Sequence, residues 1–249
     1  MLSLQGRTVL VTGAARGIGA AAARVCQVAG ARGLAHASAD SANARALADE
    51  LGLLADDFLF EDLSRDGAGA RLVARAIERA PALDAIVNNA GVYKPTPLAG
   101  GDAWDEGWRE LVAVNLKAPA DICRGAIAHF RTIGGGRIVN VASRAGQRGD
   151  GPDYAGYAAS KGGLIALTKT YARALSGENI LLYAVAPGWV ETRMAPEDVE
   201  ARRKAVADIP LGRVASPVEV ANLIAFLLSD ACLSATGATF DVNGASYVR

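Results

Sequence analysis

Apolar runs and amphipathic helical stretches alternate along the whole chain. The segment Thr8–Val11 (TVLV) has the apolar, β-branched character of a buried strand; a glycine turn, TGAARGIG, follows it, and an alanine-rich helix is predicted over 18–28. Strands are predicted next at 34–37, Phe58–Phe60, 84–88, 137–142 and 181–186, with a last short one at Thr239–Val242. Between them lie helical patterns at 41–51, 69–79, 157–175 and 219–228, and the spacing of Trp104, Trp108, Leu111 and Asn115 predicts one long helix over 104–129. Seven strands separated by helices predict an α/β domain with a mostly parallel sheet covered on both faces. The glycine groups at 134–136 and 149–151 read as turns rather than linkers, so residues 1–249 are expected to form a single domain.

A chain of 249 residues, 51% apolar, can bury a core without disulfides or a structural metal. Basic and acidic residues balance at 26 each, so no general field draws nucleic acid or an anionic membrane. Cys26, Cys123 and Cys232 are odd in number and far apart, and read as small buried apolar residues. The N-terminal stretch lacks the pattern of a secretion signal, and no apolar run is long enough to span a bilayer, so the cytoplasm is the expected compartment. His36 and His129 have no nearby ligand pattern; no metal site is expected, and both read as packing or surface residues.

The candidate chemistry begins at the first turn. Gly13, Gly17 and Gly19 lie between a strand and a helix start, where glycine allows a tight backbone path and free helix amides favour an anion such as a diphosphate. A plain packing turn is the alternative. Tyr157 and Lys161 are four residues apart in a helical pattern, so both side chains can enter one cleft, and a nearby ammonium would favour ionisation of the phenol. A surface pair is the alternative there.

With these motifs in this order, the chain resembles the classical short-chain dehydrogenase/reductase family. The match is carried by residues 12–19, the NNAG of 88–91, Asn115, Ser143, Tyr157, Lys161, the Pro-Gly of 187–188 and Thr192, which together span nearly the whole chain. The resemblance implies a Rossmann-like fold and reversible NAD(P)-dependent carbonyl reduction with Asn115, Ser143, Tyr157 and Lys161 as catalytic residues. It implies cofactor contacts at Gly13, Arg16, Gly17, Ile18 and Gly19, at Ser38, at Asp62 and Leu63 beside adenine, at Asn88, Asn89, Ala90 and Gly91, at Tyr157 and Lys161, and at Pro187, Gly188, Val190 and Thr192 beside nicotinamide. It also implies a homotetramer, with contacts through the helices near Trp104 and Tyr157 and through the C-terminal strand region.

NADP is favoured over NAD because the second strand ends at Ala37 rather than at an acid, while Arg16, Ser38 and Ser41 could hold a ribose phosphate. Asp40 argues for NAD if the strand runs further. A 3-ketoacyl thioester is one substrate expectation and a sugar or polyol another; an inactive nucleotide-responsive scaffold is the non-enzymatic alternative. Ser143 and Tyr157 are 14 residues apart, and Arg144, Arg148, Asp150, Asp153 and Tyr154 in that interval could recognise a polar or anionic substrate or simply face solvent. Residues 192–210 form a candidate lid, with Arg193, Arg202, Arg203 and Lys204 as possible anion contacts. Trp104 and Trp108 read as a packed helical face, and Trp189 as a residue near the substrate or a loop anchor.

Overall fold

The computed structural model describes residues 3–192 and 198–249. Its strands are β1 (Thr8–Val11), β2 (Arg32–Ala37), β3 (Phe58–Phe60), β4 (Leu83–Asn88), β5 (Gly136–Val141), β6 (Ile180–Pro187) and β7 (Thr239–Val242). They form one sheet in the order β3-β2-β1-β4-β5-β6-β7, and every pairing is parallel. The helices are α1 (Gly17–Val28), α2 (Ala42–Leu51), α3 (Ala68–Arg79), α4 (Asp102–Val112), α5 (Ala118–Ile133), α6 (Ala145–Arg148), α7 (Ala155–Leu175), α8 (Val199–Ala207) and α9 (Pro217–Leu228).

Alternation along each strand sorts the core into two layers. Val9 and Val11 of β1 face the side covered by α1, α2 and α9, whereas Leu10 between them faces the side covered by α3, α5 and α7. Burial on both faces explains why the strands read as continuous apolar runs. The order reverses between β1 and β4, and the carboxyl ends of the strands open a crevice at such a switch point.

The long helix expected over 104–129 is interrupted. Between α4 and α5 the backbone widens into a π turn over Ala113–Lys117, with Asn115 at its centre. Pro119, in the first turn of α5, supplies the cause: it has no N–H to give the Asn115 carbonyl, and its ring would collide with that carbonyl in a regular α-helix. The loop between Ser143 and Tyr157 also carries structure absent from the sequence reading, the short α6 and a single 3-10 turn at Pro152–Tyr154.

Candidate active site

A cavity of about 850 Å³ runs along the carboxyl ends of the strands, a size suited to a large organic ligand. At one end is the glycine turn. Gly13 (φ 65°) and Gly17 (φ 57°) take left-handed conformations that favour glycine, and both line the cavity with Arg16 and Ile18. Helix α1 starts there with no capping side chain and no acid in its first turn among the described residues, so its first amides stay available to an anion. Gly19 lines no part of the cavity. A Cβ on it would stand 2.2 Å from the Gly13 carbonyl oxygen and 2.5 Å from Asn89 Nδ2, so its role is to let α1 seat against the turn.

The NNAG segment is tied to this turn. The Asn89 and Ala90 amides both donate to Thr12 Oγ1 at 3.0 Å, and Asn89 Nδ2 donates to the Thr12 carbonyl at 2.9 Å. Asn89, Ala90 and Gly91 line the cavity, but Asn88 does not. Contrary to the expectation for it, Asn88 points into the interior and donates to Asn140 Oδ1 at 2.9 Å, and Asn140 in turn donates to Thr168 Oγ1 at 2.9 Å.

His36 is a site residue that sequence reasoning assigned to packing or the surface. It is buried, lines the cavity, accepts from the Gly13 amide through Nδ1 at 3.3 Å, and donates through Nε2 to the Glu61 carbonyl at 2.9 Å. These two bonds require the neutral ring, and burial likewise lowers its pKa. The available signal was a polar residue at the carboxyl end of an otherwise apolar strand, facing the glycine turn. Ser38, Asp62 and Leu63 line the same end, and Ser64 joins them by donating its amide and hydroxyl to Asp62 Oδ1. Those bonds hold the Asp62 pKa low.

Two residues weighed for cofactor choice are engaged elsewhere. Asp40 accepts both ends of the Arg45 guanidinium, at 2.9 and 2.6 Å, and Ser41 caps α2 through Ala44. Arg16 and Ser38 remain as cavity-lining groups at this end.

Ser143, Tyr157 and Lys161 line the other end, where Pro187, Gly188, Trp189, Val190 and Thr192 form a wall. Ser143 Oγ accepts from the Ala145 amide at 3.1 Å, leaving its proton to donate. Burial pushes the Tyr157 phenol up to about 12, and hydrogen bonding with Ser143 partly opposes this. Lys161 is buried, its pKa pushed down to about 8, and Nζ donates to the Val141 carbonyl at 2.8 Å. The expectation that Lys161 favours the ionised phenol is not met: loss of water raises the Tyr157 pKa, and the group that opposes the rise is Ser143 rather than Lys161.

Asn115 does not line the cavity but borders it. A Cβ on Gly91 would lie 3.2 Å from Asn115 Oδ1 and 3.4 Å from Lys161 Nζ, so these two polar atoms flank one glycine. The Asn115 amide is spent on Val92 and on Ser160 Oγ, the latter at 3.1 Å.

An aromatic cluster stands over Tyr157, joining Tyr154 and Trp189, both marked in the sequence, to Tyr93, which was not. Tyr93 stacks on Tyr154 with centroids 4.3 Å apart and meets Tyr157 and Trp189 edge-on at 4.7 and 6.1 Å. Trp104 and Trp108 pack on each other at 5.8 Å outside the cavity. Asp153 does not line the cavity; it anchors the segment after β4 by accepting the Leu98 amide at 3.1 Å. Arg202 pairs with Glu191, and Arg203 with Glu200, so these lid cations face their own acids, while Arg193 lies outside the described residues. No cluster of three or more metal-ligating side chains occurs among the described residues, and none of their helices is long and apolar enough to cross a membrane.

The geometry now meets known proteins. A family model described as enoyl-(acyl carrier protein) reductase matches residues 13–245. The 3-oxoacyl-(acyl-carrier-protein) reductase of Thermotoga maritima is 36% identical over 98% of both chains, and that of Escherichia coli K12 is 33% identical over 99% of this chain and 100% of the relative. A solved 3-oxoacyl-(acyl-carrier-protein) reductase from Agrobacterium tumefaciens C58, with NADP bound, superposes with a TM-score of 0.89 at 32% identity, covering 98% of this chain and 95% of that one. An NADP-bound structure from Beutenbergia cavernae, described as a putative NAD(P)-dependent gluconate 5-dehydrogenase, also gives 0.89, at 33% identity over 98% and 97%.

The chain belongs to the short-chain dehydrogenase/reductase family. It is an NAD(P)-dependent oxidoreductase acting on a carbonyl or secondary alcohol group.

Proposed function

We propose that the protein is an NADP(H)-dependent ketoreductase whose catalytic group is the phenol of Tyr157. The observation that carries this reading is the meeting of Ser143, Tyr157 and Lys161 at one end of a cavity whose other end is an anion-accepting glycine turn. The intervening lining, with Asn89 to Gly91 on one side and Pro187 to Val190 on the other, suits an elongated dinucleotide. Arg16 and Ser38 at the turn, with Asp40 committed to Arg45, favour the phosphorylated nucleotide. The NADP-bound relatives support the same choice.

When bound, the reduced nicotinamide supplies a hydride to the carbonyl carbon. Ser143 and Tyr157 then donate to the carbonyl oxygen, where negative charge develops; one such preorganised donor is worth about 3 to 4 kcal/mol of transition-state stabilisation. A phenol with its pKa near 12 is fully protonated at neutral pH, the form needed to give a proton to the new alkoxide. Lys161, charged below about pH 8, holds positive charge beneath the site, and Asn115 fixes the backbone at Val92 beside it.

The substrates of the relatives support two classes, a 3-ketoacyl thioester and a sugar acid or polyol. The aromatic cluster fits the first, and the Arg144, Arg148 and Asp150 lining fits the second. The segment 192–210 acts as a lid in this reading: Thr192 lines the cavity and Asp208, just beyond α8, meets Arg144 and Arg148. The chain works as one domain and as a cytoplasmic homotetramer, consistent with free, buried Cys26 and Cys123 and with exposed Val112 and Val248 on the two expected contact surfaces. NADPH oxidation measured against acyl thioesters and keto sugars, with NADH as control, tests the proposal. Turnover of at least one class with a preference for NADPH is expected; binding of neither nucleotide would overturn it.

A further inference from the structure

Arg144 follows Ser143 directly and lines the same cavity, yet its charge is poorly answered. It is 7% exposed, and its stem runs over the nicotinamide wall, so that a Cβ on Gly188 would lie 3.5 Å from Arg144 Cδ. Its own amide donates to the Pro187 carbonyl at 3.0 Å, which fixes the root of the side chain. At the far end, Nη1 is buried and makes no hydrogen bond among the described residues. Asp208 Oδ2 stands 3.5 Å away, but this carboxylate is 53% exposed and gives its closer contact, 3.1 Å, to Arg148.

A buried guanidinium normally has its donors filled, because each one left without a partner costs free energy comparable to a lost charged hydrogen bond. The charges around it leave room for an anion. Arg144 and Arg148 face Asp208 and Asp150, and Asp150 already accepts from the Gly151 amide at 2.8 Å and lies 3.5 Å from the Tyr93 hydroxyl. With Lys161 added, the cavity end carries one more positive than negative group, and the two acids, Asp150 and Asp208, are exposed while Arg144 and Lys161 are buried.

We propose that Arg144 is a specificity-determining residue that binds a carboxylate on the substrate, one residue's reach from the carbonyl held by Ser143. This rests on the ketoreductase reading and narrows it: the substrate is a keto acid, or its hydroxy-acid product, rather than an uncharged acyl chain. Arg148 holds Asp208, and an arriving carboxylate displaces that acid from Arg144 and takes the unbonded Nη1. The planar fork suits the two carboxylate oxygens, which a neutral amide of the same shape cannot match.

Two isosteric pairs test this. Binding of butyrate and butyramide to the protein saturated with NADPH is measured by calorimetry, and kcat/KM is measured for acetoacetate and acetoacetamide, in the wild type, R144M and R144K. The wild type is expected to prefer the acid of each pair by roughly 10- to 100-fold. R144M should lower the acid by that factor more than the amide, and R144K should recover part of the difference. Equal binding of butyrate and butyramide to the wild type would overturn the proposal, and so would a parallel loss of both in R144M, which would make Arg144 a lid anchor only. The binding arm needs no turnover: a butyrate preference without any NADPH oxidation would count against the ketoreductase reading while upholding the carboxylate site.

Discussion

Asn115 and Val92 hold each other by two hydrogen bonds: Oδ1 accepts the Val92 amide at 2.9 Å, and Nδ2 donates to the Val92 carbonyl at 3.0 Å. The asparagine thus pairs with a backbone as another strand would, and joins the π turn to the segment that follows NNAG. Replacing it with alanine strands both Val92 groups, and a loss of about 2 to 4 kcal/mol in chemical denaturation is expected. The Asn115→Asp variant keeps the acceptor but places a carboxylate beside Lys161 across Gly91. It should raise the Lys161 pKa and move the alkaline limb of the reduction profile upward, a shift that tests whether that limb belongs to Lys161.

Lys161 works at the expense of stability. Its fall from 10.5 to about 8 in the folded protein corresponds to about 3 kcal/mol against folding, present in full below pH 8 and fading as pH rises toward 10.5. The Lys161→Met variant loses the bond to the Val141 carbonyl as well, so a net gain of about 1 to 2 kcal/mol at pH 7 is expected. Denaturation at pH 7 and pH 10 checks the sign, since the advantage of the variant must shrink at the higher pH.

The two titrations separate the reaction directions. Reduction needs a neutral Tyr157, available at every pH below about 12, and a charged Lys161, available below about 8. The kcat/KM for ketone reduction should therefore be level from pH 6 to pH 7.5 and fall above about pH 8. Alcohol oxidation draws on the ionised phenol and should rise relative to reduction across the same range. A reduction profile that climbs above pH 8 would contradict these assignments.

Gly19 tests the seating of α1. An alanine there meets the Gly13 carbonyl oxygen and Asn89 Nδ2, neither of which has room to retreat, and a loss of about 1 to 3 kcal/mol is expected together with weaker NADPH binding. Gly177, with nothing within 4 Å of its would-be Cβ, is the control, and its alanine variant should stay within about 0.5 kcal/mol of the wild type.

The seven strands, the glycine turn and the Tyr157/Lys161 spacing were legible because each is a local pattern of a few residues. The π turn was half legible. Pro119 stood inside the helical pattern, but widening around Asn115 rather than breaking the helix depended on packing against α7 and Val92. His36 and Tyr93 were not legible, nor was the contact of Tyr93 with Tyr154 and Trp189, since these residues become neighbours only when strand register and loop ends converge at one edge of the sheet. The commitment of Asp40 to Arg45, and the rise rather than fall of the Tyr157 pKa, follow from partners and burial that spacing does not encode.

The most direct measurement is single-turnover ketone reduction by the Tyr157→Phe variant, with NADPH affinity and unfolding measured in parallel. Removing the phenolic oxygen should cut the rate by about 100-fold or more, while nucleotide affinity and stability stay close to those of the wild type. Reduction at the wild-type rate by a folded, NADPH-bound variant would remove Tyr157 from the chemistry.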